Sequence, residues 1–133
     1  MLSILNATET AVVTYFQSNI DATIASFYTG MSNVDKQAPT VIVWCRDAKE
    51  EVPYSGLWHT TTQIIIKEVA AESNAIGSLA HTVYSTLLVD GIQDLLTSTH
   101  YTVIAVIIQD NTTGVEQDML VNILTCDIVG ELS

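Results

Sequence analysis

The sequence predicts an α+β domain in the element order α-β-β-α-β-β, a mainly antiparallel sheet with helices packed on one face. Three patterns predict it. Apolar residues recur at helical spacing in two segments, residues alternate with a period of two from Leu57 to Val69, and two apolar runs near the C-terminal end flank a turn-rich segment. The 133 residues suit one domain spanning 1–133, because a chain of this length buries roughly two thirds of its surface on folding.

From Ile4 to Tyr28, the residues Leu5, Val12, Phe16, Ile20, Ile24 and Phe27 recur close to the spacing that turns one helix face toward a core. This predicts a long first helix, stopped at Gly30 with Ser32 and Asn33, and a connecting loop up to Pro39. Thr40-Val41-Ile42-Val43-Trp44-Cys45 is β-branched and apolar on both faces, which suits a central strand. Arg46 to Gly56, carrying Asp47, Lys49, Glu50, Glu51 and Pro53, reads as a charged loop long enough to project. In the strand that follows, Trp58, Thr60, Thr62, Ile64 and Ile66 share one side and His59, Thr61, Gln63, Ile65 and Lys67 the other, so one side faces a core. Glu72-Ser73-Asn74 is suited to cap a second helix with the stripe Ile76, Leu79, Val83, Leu87 and Leu88, broken at Asp90-Gly91. A helical turn at Ile92 to Leu96 is expected next. Tyr101 to Gln109 is again apolar on both faces, Asp110-Asn111-Thr112-Thr113-Gly114 reads as a hairpin turn, and Met119 to Val129 forms the last strand.

Composition narrows the function classes. Charged residues make up 14% of the chain against about 25% in an average soluble domain, while 48% is hydrophobic. The four basic residues, Lys36, Arg46, Lys49 and Lys67, face fifteen acids, for a formal net charge of -11. Such a surface does not neutralise phosphates, which speaks against specific nucleic-acid binding and against anionic membranes. The longest apolar run, Val103 to Ile108, falls far short of the roughly 20 residues that span a bilayer. Met1 to Asn6 lacks the charged start and apolar run of a signal peptide, so a soluble protein is expected. Two doubly apolar strands under so thin a coat of charge point to subunit packing, because interface centres are depleted in Lys, Glu and Asp.

Residues suited to chemistry are scattered. His59, His81 and His100 show no ligand spacing with one another or with a cysteine, so no metal is expected. Cys45 and Cys126 lie in apolar strand contexts, where free cysteine behaves as a small buried hydrophobe. Glu50 with Glu51 and Glu116 with Asp118 lie in or beside loops, without the burial that separates the pKa values of a catalytic pair. Nucleophile-elbow, zinc-helix, P-loop and dinucleotide motifs are all missing. No catalytic residue and no cofactor is therefore expected. A small enzyme or ligand-binding domain would have to use a cleft between helices and sheet, where His81, Tyr84 and His100 are the available polar groups.

The chain-long pattern carries a resemblance. A long first helix, Pro39-Thr40-Val41-Ile42-Val43, an acidic loop ending in Gly56-Leu57-Trp58, Thr62-Gln63-Ile64-Ile65-Ile66, a helix with His81 and Leu87-Leu88, and a closing hairpin from Tyr101 to Val129 follow one another. This resembles the tail terminator, or tail completion, proteins of tailed bacteriophages. The resemblance implies a structural virion protein that forms a homohexameric ring on the head-proximal end of the tail tube and joins it to the neck. It implies tail tube and neck or head-completion proteins as partners, assembly in the host cytoplasm, and DNA met only in transit. Under it, Arg46, Asp47, Lys49, Glu50, Glu51 and Tyr54 form a tube-contacting loop, and Trp58 anchors the base of that loop in the core. Asp110, Glu116 and Asp118 become candidate channel-lining acids, since carboxylates let DNA slide without sticking. A head-completion or stopper protein of the neck is the alternative within the same class.

Overall fold

The computed structural model describes residues 3–30, 36–69, 78–116 and 118–133. Helix α1 (Ile4–Asn19) is followed by strands β1 (Ser26–Thr29), β2 (Thr40–Lys49) and β3 (Trp58–Val69), helices α2 (Ser78–Leu87) and α3 (Ile92–Leu96), and strands β4 (Tyr101–Glu116) and β5 (Met119–Leu132). The strands form one sheet in the order β1-β2-β3-β5-β4, antiparallel except for the parallel β1-β2 pair. The α+β class is as the sequence predicts, and the buried residues of the three helices join one core with Val41, Val43, Ile64, Ile66, Leu124, Cys126 and Ile128 on one sheet face.

Helix α1 stops nine residues before Tyr28, the expected end. The Ser3 hydroxyl caps its start by accepting the Asn6 N–H at 3.1 Å. At the other end the Asn19 side chain donates to the Tyr15 carbonyl, and the Asp21 carboxylate accepts the Thr23 N–H at 2.9 Å, an Asx turn that competes with helix. Ser26-Phe27-Tyr28-Thr29 then pairs with Thr40 to Val43 as a parallel edge strand that the sequence reading did not contain. Ile20, Ile24 and Phe27 fit a helical stripe, but β-branched and aromatic residues also favour a pleated sheet, and tertiary pairing decides between the two.

β2 also departs from expectation, continuing four residues past Cys45 to Lys49. A bulge between Cys45 and Asp47 absorbs Arg46, after which Asp47, Ala48 and Lys49 pair with Thr61, Thr60 and His59. The backbone N–H of Cys45 at this bulge donates to the Glu9 carboxylate of α1 at 2.9 Å. Burial raises the Glu9 pKa, and the Cys45 hydrogen bond offsets part of that rise. Bulges likewise extend the hairpin. Irregularities between Val103 and Ala105 and between Ile108 and Asp110 absorb Ile104 and Gln109, after which the turn-like residues Asp110 to Gly114 pair with Thr125 to Val121 and the strand runs on to Glu116. The reversal lies between Glu116 and Met119, with Asp118 in the left-handed region at φ 64°.

β3 alternates as its sequence requires, with Thr60, Thr62, Ile64 and Ile66 buried on the helix side. The threonines on that side are satisfied: Thr60 Oγ1 donates to the Ile128 carbonyl at 2.9 Å, and Thr62 Oγ1 lies 3.3 Å from Cys45 Sγ. Both cysteines are free and buried, and burial pushes each thiol up to about 12. Register places Cys45 and Cys126 on either side of Thr62, two strand spacings or about 10 Å apart and beyond the reach of a disulfide. Glu68, at the end of β3, accepts the N–H groups of Leu79 and Ala80 at 3.1 and 3.0 Å and so caps α2 with a buried carboxylate. The expected cap at Glu72-Ser73-Asn74 and the stripe residue Ile76 lie outside the described residues. Of the rest of that stripe, Leu79, Val83 and Leu87 are buried and Leu88 is exposed.

Candidate functional site

The segment between β2 and β3 is a preorganised projection. Its charged start is strand, because Arg46, Asp47 and Lys49 belong to β2, and only Glu50, Glu51 and Tyr54 of the expected contact residues lie in the loop. One carboxylate holds the loop: Glu50 Oε1 accepts the Tyr54 N–H at 2.7 Å and Oε2 the Gly56 N–H at 2.8 Å. Tyr54 and Gly56 both take positive φ, 65° and 81°. The result displays Tyr54 at 99% exposure beside an exposed Val52. Trp58 begins β3 directly after the loop, half-buried against the core.

The other prominent surface is the β4 edge. β4 is 16 residues long, has β5 as its only strand neighbour among the described residues, and contains no Lys, Arg or Pro. Ile104 is 47% and Ile107 52% exposed on it, and Val115 is exposed near the tip. The two doubly apolar strands therefore differ. In β2 the outer-face residue Ile42 is buried within the single chain beside its partner Ile65, whereas Ile104, Ile107 and Val115 of β4 stay in solvent while Tyr101 and Val103 join the core. Asp110, Glu116 and Asp118 are all exposed along this arm, Asp110 at the second bulge and the other two at the hairpin tip, rather than together in one turn.

An ion pair that sequence reasoning missed lies on the sheet face away from the helices. His59 Nδ1 is 2.9 Å from Asp127 Oδ2, and Glu51 Oε2 approaches Nε2 at 4.0 Å. The hydrogen bond to Asp127 raises the His59 pKa above its ordinary value. A raised histidine pKa adds stability that is fully present below the unfolded value of about 6.5 and is lost as pH rises through the folded value. The imidazole is 33% exposed, so solvent screens the effect. Following the His59 ring protons by NMR should give a midpoint above about 6.5 that falls in Asp127→Asn; an unchanged midpoint in that variant would assign the shift to another group.

Two of the concavities beside the helices bear on the sequence reading. A groove of about 510 Å³ runs between α1 and the α3-β4 connection, bordered by Thr10, Thr14, Leu95 and His100. A smaller one of about 310 Å³ lies between α2 and the sheet, bordered by His81, Tyr84, Ser85, Asn111 and Asn122. His81 and Tyr84 thus share one cavity, and His100 belongs to the other. Among the described residues no group of three or more His, Cys, Asp or Glu side chains is placed to hold a metal ion. No protein-family model matches the chain, and no curated protein matches it in sequence.

Proposed function

We propose that this chain is a structural, non-catalytic subunit that closes into a ring and caps the head-proximal end of a bacteriophage tail tube, joining tail to neck. The observation that carries the reading is the β4 edge. Long edge strands are ordinarily guarded by Lys, Pro, bulges or brevity; β4 carries two bulges but no Lys or Pro, and an edge with exposed Ile104 and Ile107 is suited to being covered by another subunit. The sheet's two edges are unlike, one a four-residue parallel strand and the other a 16-residue antiparallel one. A β4 edge meeting a different surface of the next copy is a heterologous contact, the kind that generates rings, whereas β4 on β4 gives only a twofold pair. The rigid loop with Tyr54 at its tip supplies the contact with the tube, and the acidic arm tip supplies a lining over which DNA slides.

Light scattering and negative-stain imaging of the purified protein, alone and with tail tubes, test this reading. Rings at high concentration or on tube ends are expected, and Ile107→Lys should abolish them while leaving the circular dichroism spectrum unchanged. Deleting 51–55 should leave rings intact but prevent joining to tubes. A protein that stays monomeric in the presence of tubes, or that stops at a dimer, would overturn the ring.

A further inference from the structure

Helix α1 carries a carboxylate in its buried face. Glu9 is 9% exposed, and its Oε2 accepts the Cys45 N–H at 2.9 Å. The need for that acceptor comes from the sheet. Val43 turns its carbonyl toward β1, where it accepts the Gly30 N–H, and Cys45, two residues on, turns its N–H to the same side. β1 ends at Thr29, opposite Val43, so among the described residues no strand meets Cys45 there, and Glu9 supplies the acceptor. From Cys45 to Lys49, β2 is therefore laddered to β3 alone, and Arg46, Asp47 and Lys49 are exposed. This stretch is the base of the projecting loop. The Glu50 clamp closes the loop on itself, so the loop follows its base as a unit. A short ladder with one neighbour and few buried side chains belongs to the part of a fold that opens locally.

A second titratable contact holds the other end of the same ribbon. His59 pairs in register with Lys49, bonds Asp127 of β5 on the sheet face away from the helices, and places Nε2 4.0 Å from Glu51 of the loop. We propose that Glu9 and His59 form a proton-operated latch on the ribbon from Cys45 to His59, holding the base of the projecting loop closed when both are protonated and loosening it when they are not. Burial raises the Glu9 pKa, the Cys45 bond offsets only part of that rise, and no cation contributes. The ionisable groups around it are the Cys45 thiol of β2 and, bonded to Thr8, the Tyr101 phenol of β4. Burial pushes both up to about 12, so both stay neutral near neutral pH. Ionised Glu9 is thus a buried charge with a neutral partner, and local opening hydrates it. A carboxyl raised in this way contributes stability that is present below its unfolded pKa and lost as pH rises through its folded one. His59 acts in the same direction: protonated, it attracts Asp127 and Glu51 against the repulsion of Lys49, and neutral, it releases Glu51. Glu51 is exposed, so solvent screens that contact and Glu9 carries most of the effect.

The test follows the full chain by NMR and amide exchange from about pH 4 to about pH 8. It needs no tail tube, so it stands or falls apart from the proposed tube contact. The Glu9 carboxyl and the Cys45 amide should titrate with one midpoint, above the ordinary glutamate value of about 4.3. Corrected for intrinsic exchange, protection at Cys45, Ala48 and Lys49 should be lower than in the β3-β5 ladder and should fall several-fold as pH rises through that midpoint. Glu9→Gln keeps an acceptor for the Cys45 N–H without the charge; it should abolish the fall and melt higher than the parent at neutral pH. Glu51→Gln should leave that fall in place and diminish only the further loss that follows His59. A Cys45 amide that titrates unchanged in Glu9→Gln, or a fall of the same size in that variant, would overturn the latch. Equal protection in the β2-β3 and β3-β5 ladders of the parent at every pH would overturn it as well, because Cys45 would then be exposed only by unfolding of the whole chain.

Discussion

Phe16→Ala is expected to destabilise the fold by about 3–5 kcal/mol, because it removes a fully buried aromatic ring and leaves a cavity that the surroundings fill only in part. Against the 5–15 kcal/mol typical of whole domains, about that much loss leaves a marginal protein, with a melting temperature lower by more than about 10 °C. The loss should be uneven. The Phe16 ring lies 6.1 Å from Phe27 of β1 and 6.1 Å from Tyr15, which ties α1 to α2 by donating its hydroxyl to the Thr86 carbonyl at 2.5 Å. β1 is four residues long and among the described residues pairs only with β2, so it has little to hold it once Phe27 loses its partner. Amide exchange in β1 should therefore rise more than in the β3-β5 ladder. Equal loss of protection in both would show that β1 is held by its ladder alone. Phe16→Leu keeps most of the buried surface and should cost about 1–2 kcal/mol.

That dependence of β1 on Phe16 also explains why the strand was invisible in the sequence. Ile20, Ile24 and Phe27 continue the spacing of Val12 and Phe16, and periodicity alone favours one long helix. The deciding events are an Asx turn at Asp21 and pairing with residues 40–43, and the second is a contact at a distance that no local pattern records. Bulges hid the other boundaries. The charged residues after Cys45 and the Asp110 to Gly114 run look like loops by composition, yet in each case one extra residue is absorbed and the ladder resumes. Where period and environment agree, as for Thr60, Thr62, Ile64 and Ile66, the sequence was sufficient.

The candidate surfaces divide in the same way. The loop was legible from its charge and Pro53, but its rigidity was not, because the Glu50 clamp is a matter of geometry. His59 with Asp127, Glu68 with the start of α2, and Glu9 with Cys45 join residues far apart in the chain or on different elements, so a single sequence offers no mark for them. Asn122 is different. Its place as the one polar residue between Leu120 and Leu124 on an alternating strand was readable, and a polar side chain in a core series calls for a partner. His81 and Tyr84, three residues apart on one helix face, were readable in the same way as borders of the cavity between α2 and the sheet.

Gly130 marks a close approach of the same legible kind, since an isolated glycine inside a strand signals that another group lies against its backbone. A β-carbon there would lie 2.6 Å from Cε1, 2.8 Å from the hydroxyl and 2.9 Å from Cζ of Tyr101. Gly130 pairs with Trp58 on one side and Val103 on the other, so its backbone is held by neighbours in the middle of the sheet. The tyrosine has little room to yield: it is buried, and its hydroxyl lies 2.7 Å from Thr8 Oγ1, which in turn donates to the Ile4 carbonyl. Gly130→Ala must therefore displace the ring and break a buried hydrogen bond that ties β4 to α1, at an expected cost of about 3 kcal/mol from overpacking and the lost bond together. The cause is separable by a double-mutant cycle with Tyr101→Ala. That change alone should destabilise by about 3–5 kcal/mol through the cavity it leaves, and adding Gly130→Ala to it should cost almost nothing further. If the two changes instead add, the clash is not the source of the loss, and glycine at this position serves the strand backbone rather than the packing of Tyr101.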